Sequence, residues 1–420
     1  MKRILLIWVL LFVFMNISCV NANEYKLKSN DFKMIFVLSQ DKFYLKSLSK
    51  GKTEFIKEPN MASLWAITMK ENKSYDGPLF ELNPSKADFY KINHSGTSLK
   101  VTWYNVKDKG MTKGINVTCS IKLDREESLW DIETTENKDY GIWTVAYPNL
   151  TNIDAQDGDK FIWPARCGNL CEKFSDPRGF RFPLYQCEYR ETYTKVLWYL
   201  TPIGHQFVSL SKGDKTLYLC PEDKEVHQFT NHCTLDEPNK LNYLITNYPA
   251  HMAEGGYKYK QAHPFRLAII KGDYYDACKK YRKWGIENNY GCFAKGPIES
   301  REDVPMWLKE NPIWLTWHWG NSVDGEGIIK LKEKYNVPMA CHVYQYSEYP
   351  FDTHYPNYVP VKENMKKTMK EMREAGIRIM PYTNGFVVDK DLSPAYKRYG
   401  DALINLDEFG NDRLMFVNEG

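Results

Sequence analysis

Alternation of apolar and polar residues, kept up in short runs from Glu24 to Ile270, limits this chain more than any other feature of its sequence. A side chain that changes face at every residue belongs to a strand, and a run that is apolar on one face belongs to a strand half buried in a sheet. Residues 101–104 (VTWY), 115–121 (INVTCSI) and 129–133 (LWDIE) alternate most cleanly. Similar runs follow at 195–200, 205–210, 216–220, 241–246 and 265–270, with turn residues between them and no long helical period. So much strand-turn-strand exceeds one small sandwich. The pattern predicts a single large two-sheet β domain over residues 23–270.

The period then changes. Gly272-Asp273 reads as a helix entry with Asp273 as N-cap, and Tyr274, Ala277, Cys278, Tyr281 and Trp284 recur on one helical face, with Gly285 as the expected stop. Residues 271–304, this helix and the Gly/Pro-containing stretch after it, read as a connector. From residue 305 to 420 strand and helix alternate. Residues 313–317, 339–344 and 377–381 are strand-like; Ile328, Leu331 and Tyr335 fit one face of a first helix, and Met365, Met369 and Met372 one face of a second that ends at Gly376. That spacing fits βα units of a parallel sheet. A closed (β/α)8 barrel takes ~250 residues, so residues 305–420 have room for about three βα units, and the chain is expected to stop inside the domain. The fold class expected is multidomain, β plus α/β: a large antiparallel β supersandwich followed by the N-terminal part of a (β/α)8 TIM barrel. A small open α/β unit is the alternative, at the cost of an exposed sheet edge.

Residues 1–22 have the plan of a secretory signal peptide: Lys2 and Arg3, an apolar run from Ile4 to Met15, and small residues up to Ala22. The run is short for a membrane span, so a secreted or periplasmic bacterial protein with no integral membrane segment after cleavage is expected. Cys19 offers a weak match to a lipoprotein site and hence a lipid anchor. Of ten cysteines, the remainder after cleavage is odd in number, so at least one stays unpaired within the chain. Cys167, Cys171 and Cys187, and Cys220 with Cys233, are candidates for disulfides in an oxidising compartment. The Cys167/Cys171 pair has no second pair to complete a zinc site, and neither metal nor cofactor is expected. With 56 Lys and Arg against 53 Asp and Glu, the chain is too balanced for a protein that grips phosphate backbones, which argues against nucleic acid as a partner.

The motifs of dinucleotide binding, P-loop transfer, nucleophile-elbow hydrolysis and common zinc proteolysis are all missing. What stands out is an aromatic content of 15%, with 29 Tyr and 12 Trp, which fits either a large β core or a groove that stacks on sugars. Aromatics mix with hydrogen-bonding groups where barrel enzymes place their sites, after the strand ends: Trp317-His318-Trp319-Gly320, the stretch 344–356, and Tyr382-Thr383-Asn384-Gly385. Each residue alone could be core or a cap; together they suggest a ligand groove. Asp352, between Pro350 and Pro356, is the best acidic candidate, with an Asx-turn role as its alternative. Asp389 and Asp391 read as solvated. His318, His342 and His354 match no standard metal spacing.

The segment 129–150 (LWDIETTENKDYGIWTVAYPNL) resembles the central strands of the galactose-mutarotase-like supersandwich that precedes the barrel in several glycoside hydrolase families. The stretch 272–284 (GDYYDACKKYRKW) is similar to the helix leading into that barrel. Most specific are WLTWHWG at 314–320, PFDTHYPNYVP at 350–360 and IRIMPYTNG at 377–385. They resemble a family of bacterial glycoside-hydrolase-like proteins carried as a domain of unknown function, distantly akin to the endo-α-N-acetylgalactosaminidases. The resemblance implies retaining hydrolysis by two carboxylates ~5–5.5 Å apart, the nucleophile being an Asp at the end of the fourth barrel strand. This chain ends before that position, so the pair is expected beyond residue 420 and the chain by itself is expected to be inactive. By location, the resemblance implies that Trp317, His318, Tyr346, Asp352, His354, Tyr382 and Asn384 face a carbohydrate substrate. A non-catalytic glycan-binding protein is the first alternative, and an adhesion protein built on the sandwich the second.

Overall fold

The computed structural model describes residues 23–39, 41–57, 60–74, 77–108, 110–164, 169–176, 205–317, 323–350, 353–385 and 387–403. The signal-peptide reading of residues 1–22 with Cys19, the strand expected at 195–200, and Cys167, Cys187, His318 and Asp352 lie outside the described residues. The chain divides into two compact units after Asn288.

The first unit contains two antiparallel sheets. One runs in the order Asn23–Ser29, Phe32–Leu38, Phe43–Lys50, Thr53–Ile56, Tyr140–Asp154, Lys240–Asn247, Phe229–Glu237, with Ala66–Glu71 also paired to the long strand Tyr140–Asp154 and Phe80–Leu82 paired to Ala66–Glu71. The other runs Asn169–Cys171, Lys160–Trp163, Val208–Lys212, Lys215–Cys220, Phe265–Lys271, Glu127–Thr134, Ile115–Asp124, Ser98–Val106, Phe89–His94. The alternation in the sequence becomes the packing. In Ile115–Asp124, for example, Ile115, Val117, Cys119, Ile121 and Leu123 are buried while the residues between them are not. Much of the aromatic content goes into the core between the sheets. Phe36 meets Trp130 with ring centroids 5.5 Å apart, Phe43 meets Trp103 at 5.1 Å, and Trp65 meets Trp103 edge-on at 5.3 Å. Lys50 ties the sheets together, its Nζ donating to the Ile269 carbonyl at 2.9 Å and pairing with Glu126 at 2.9 Å.

Three details depart from expectation. The strand expected from 205 starts at Val208, because His205 folds back onto the Phe207 carbonyl, Nδ1 to O 2.9 Å. The helix passes through Gly285 and runs Tyr274–Glu287: Gly285 lies on the buried face with Ala277, Tyr281 and Trp284, and Asn288 caps the end by donating its Nδ2 to the Trp284 carbonyl at 2.9 Å. At its start Asp273 is the N-cap of a full capping box with Asp276. Gly272, at φ +104°, is required there, since a Cβ would sit 2.0 Å from the Asp276 carboxylate. Cys220 and Cys233 are separate buried thiols on different sheets rather than a bridge. Among the described residues no helix is long and apolar enough to cross a membrane.

The second unit contains a parallel sheet in the order Ile313–Trp317, Met339–Val343, Arg378–Pro381, with helices Gly325–Tyr335 and Glu363–Glu374 on the two crossovers and Pro394–Leu403 following. Met339, Cys341 and Val343 pack with Ile328, Met365 and Met372 into its core. Tyr335, expected on the buried face of the first helix, is exposed at the last turn. The second helix ends at Gly376, φ +77°, with the Ile377 N–H closing back on the Met372 carbonyl at 2.9 Å.

Candidate functional site

A parallel strand places alternate side chains on opposite faces. With Met339, Cys341 and Val343 turned to the helices, Ala340 and His342 fall on the other face, beside Trp314 and Thr316 of one neighbour and Arg378 and Met380 of the other. Trp314 and Met380 are among the exposed large apolar residues of the chain.

The register brings Trp317, Val343 and Pro381 level at the C-terminal edge. The residues just beyond them form an aromatic group. The Tyr344 and Tyr382 rings stack at 4.3 Å, and His342 lies 4.7 Å from Tyr344 and 6.1 Å from Tyr382. The Tyr382 N–H donates to the Val343 carbonyl at 2.8 Å, which extends the sheet by one residue and holds the ring in place.

Beyond Tyr344 the loop folds on Tyr346, Tyr355 and Tyr358. Tyr346 stacks on Tyr358 at 5.9 Å, Tyr355 meets Tyr358 at 5.3 Å, and Tyr346 donates its hydroxyl to the Tyr382 carbonyl at 3.1 Å. Burial, with Tyr358 adding to it, pushes the Tyr346 phenol up to about 12. Tyr358 in turn accepts the Asn384 N–H, and Asn384 Oδ1 accepts the Val387 N–H at 3.2 Å. The His354 ring stacks on Tyr349 at 4.2 Å, almost parallel, and its backbone N–H donates to Asp389 at 2.9 Å.

Of the residues expected from sequence to face substrate, Tyr382 stands in the strand-end group and Trp317 ends the first strand. Tyr346, His354 and Asn384 lie close by, with Tyr346 and Asn384 committed to loop hydrogen bonds. Tyr344 comes from the stretch 344–356 expected to contribute to a ligand groove, whereas His342 is weighed from sequence only as a metal ligand, although strand alternation puts it opposite the apolar face. Asp389, expected to be solvated, instead accepts backbone N–H groups from His354, Asp391 and Leu392. Its partial burial opposes ionisation, but the three N–H groups outweigh that and hold its carboxyl below the usual range. Asp389 therefore joins two loops and has little freedom for chemistry. Among the described residues His342 and His354 belong to no metal-sized cluster; the one such group, Asp223, His227 and His263, lies in the first unit.

Comparisons with known proteins fit this picture. Residues 259–405 match the family model described as a domain of unknown function, DUF6259. Two curated relatives carry the name Putative glycoside hydrolase. One, from Bacteroides thetaiotaomicron, is 22% identical over 389 residues, covering 89% of this chain and 53% of its own length. The other, from Monosiga brevicollis, is 27% identical over 201 residues, covering 41% of this chain and 16% of its own. The chain thus spans at most about half the length of these relatives. Among solved structures, the α-N-acetylgalactosaminidase NagBb of Bifidobacterium bifidum in complex with GalNAc superposes with a TM-score of 0.54 at 13% identity, over 85% of this chain and 58% of that one. A quadruple mutant of NagBb gives 0.56 at 12% identity, over 92% and 63%. The chain is therefore similar in sequence to DUF6259 and to glycoside-hydrolase-like proteins, and it shares its fold with an α-N-acetylgalactosaminidase.

Proposed function

We propose that this chain is the sandwich and barrel-entry part of an exported, retaining glycoside hydrolase that acts on oligo- or polysaccharides. The observation that carries the reading is the group His342, Tyr344 and Tyr382 at the C-terminal edge of a parallel sheet, where aromatic faces and hydrogen-bonding edges stand together. Aromatic faces bind the C–H surfaces of a sugar, and the imidazole and phenols pair its hydroxyls. The glycoside-hydrolase-named relatives support the same class. The open sheet face with Trp314, Thr316, His342 and Met380 is what the remaining strands of a (β/α)8 barrel would cover. In this reading the carboxylate pair comes from the longer protein, after residue 420.

One observation favours the alternative of a non-catalytic glycan-binding protein for the chain by itself. Asp389, a carboxylate that joins this loop system, is spent on three backbone N–H groups.

The test uses the natural gene product with nitrophenyl α-glycosides, the N-acetylgalactosaminide first, alongside tryptophan fluorescence titration with the same sugars. Turnover supports the hydrolase; saturable quenching without turnover supports binding alone; neither, across a broad glycan panel, overturns the carbohydrate reading. Tyr382→Ala should weaken sugar binding roughly 2- to 10-fold, the worth of one aromatic contact, with an unchanged circular dichroism spectrum.

A further inference from the structure

The strands Lys215–Cys220 and Phe265–Lys271 run antiparallel with Cys220 opposite Arg266. Continuing that register past the sheet end puts Asp223 opposite His263. Here the chain crosses to the other sheet, which it enters at Phe229, and the crossing brings His227 back over Asp223. One ligand atom from each of Asp223, His227 and His263 lies within 4.8 Å of the other two.

Asp223 is held firmly. It is 3% exposed, and fully buried Gln206 clasps its backbone from both sides: Asp223 N–H to Gln206 Oε1 is 2.8 Å, and Gln206 Nε2 to the Asp223 carbonyl is 2.7 Å. Its carboxylate accepts the N–H groups of Glu225 at 2.9 Å and Val226 at 3.1 Å on Oδ1, and that of His227 on Oδ2. His227 Nδ1 lies 3.2 Å from Oδ1.

His263 carries the decisive geometry. Its Nε2 is 2.7 Å from Asp223 Oδ1, yet it is buried without a hydrogen-bond partner, because the two atoms lie side by side instead of pointing at each other. Two donor atoms that stand adjacent and unaligned form the edge of a coordination shell more naturally than an ion pair. Glu225 Oε2 stands 3.8 Å from His227 Nε2 and 4.0 Å from His263 Nε2, within reach as a further oxygen. All three residues line a cavity of about 230 Å³, and so does Gln261, which is 8% exposed and whose buried Oε1 is likewise unpartnered.

We infer that Asp223, His227 and His263 form a binding site for one divalent transition-metal ion of the zinc class, with a remaining coordination position toward the cavity. Two imidazoles and a carboxylate suit zinc, with water or a ligand oxygen in the fourth place; calcium or magnesium would ask for more oxygens. The site is separate from the strand-end group of the second unit and is independent of the function proposed above.

The test titrates the metal-free full chain with Zn2+ by calorimetry and with Co2+ by visible absorption. One equivalent should bind, with Co2+ bands of four- or five-coordinate N/O ligation. His227→Gln and His263→Gln should each lower the affinity by more than the roughly 10–100-fold lost with an outer-shell partner, with circular dichroism unchanged in chelator. Should either variant fail to fold, zinc K-edge absorption of the parent decides, two imidazoles being the expected shell. No stoichiometric binding, undiminished binding in the folded variants, or sulfur ligation to a cysteine would each overturn the site.

Discussion

Trp103 and Trp130 are both fully buried between the two sheets, but their indole N–H groups differ. That of Trp130 donates to Ser128 Oγ at 2.7 Å, whereas that of Trp103 has no hydrogen-bond partner among the described residues. Both lose similar volume on substitution by Phe. Trp130→Phe also breaks a buried hydrogen bond, and Trp103→Phe removes a donor that is already costly. Trp130→Phe should therefore be the more destabilising by about 1–3 kcal/mol in urea unfolding; equal losses would contradict the assignment. His205 gives a pH dependence. Burial against Phe207 and Tyr281, only partly offset by its bond to the Phe207 carbonyl, lowers its pKa from 6.5 to about 4. A His with a depressed folded pKa binds protons more readily when unfolded. Its contribution is thus fully present above pH 6.5 and is lost as pH falls toward 4, up to about 3 kcal/mol. His232, depressed by burial as well, acts in the same direction. The urea midpoint should fall between pH 7 and pH 5, and His205→Gln should flatten that slope; an unaltered slope would place His205 in a wetter site.

At the scale of elements, the helix Tyr274–Glu287 was readable because each of its signals is local. Asp273, the Asp276 that closes the capping box, and the spacing of Ala277, Tyr281 and Trp284 all act within a few residues. Asp273→Ala should cost about 1 kcal/mol, measured as a lower thermal midpoint; no change would mean that packing alone holds the helix. Its end was not readable. Gly285 looks like a stop, but on the buried face the missing side chain is useful and the helix continues for two residues. The three parallel strands were legible from β-rich runs at crossover spacing. The loop from Tyr344 to Val361 was not, since Tyr346, Tyr355 and Tyr358 look alike in sequence as ligand platforms or as packing, and it is the burial of Tyr346, its stack on Tyr358 and its hydroxyl on the Tyr382 carbonyl that assign it to packing.

For the whole molecule, Lys50 shows how the sheets depend on one another. Its buried ammonium reaches the Ile269 carbonyl and Glu126 across the core. Lys50→Met keeps the length and leaves that carbonyl short of a partner while Glu126, half exposed, returns to water. A loss of about 1–3 kcal/mol is expected from chemical denaturation, and a neutral result would mean that the carbonyl is already satisfied. The large antiparallel domain and the change to alternating strand and helix after it were determined by the sequence itself, because side-chain period and helix caps depend on neighbours a few residues away. Tertiary structure alone decided which chemistry-bearing residues meet. Asp223 and His263 are forty positions apart and touch through sheet register, as His342, Tyr344 and Tyr382 gather because parallel strands end level. Between strands so far apart in the chain, register depends on the pairing of whole strands, with no tight turn to set it.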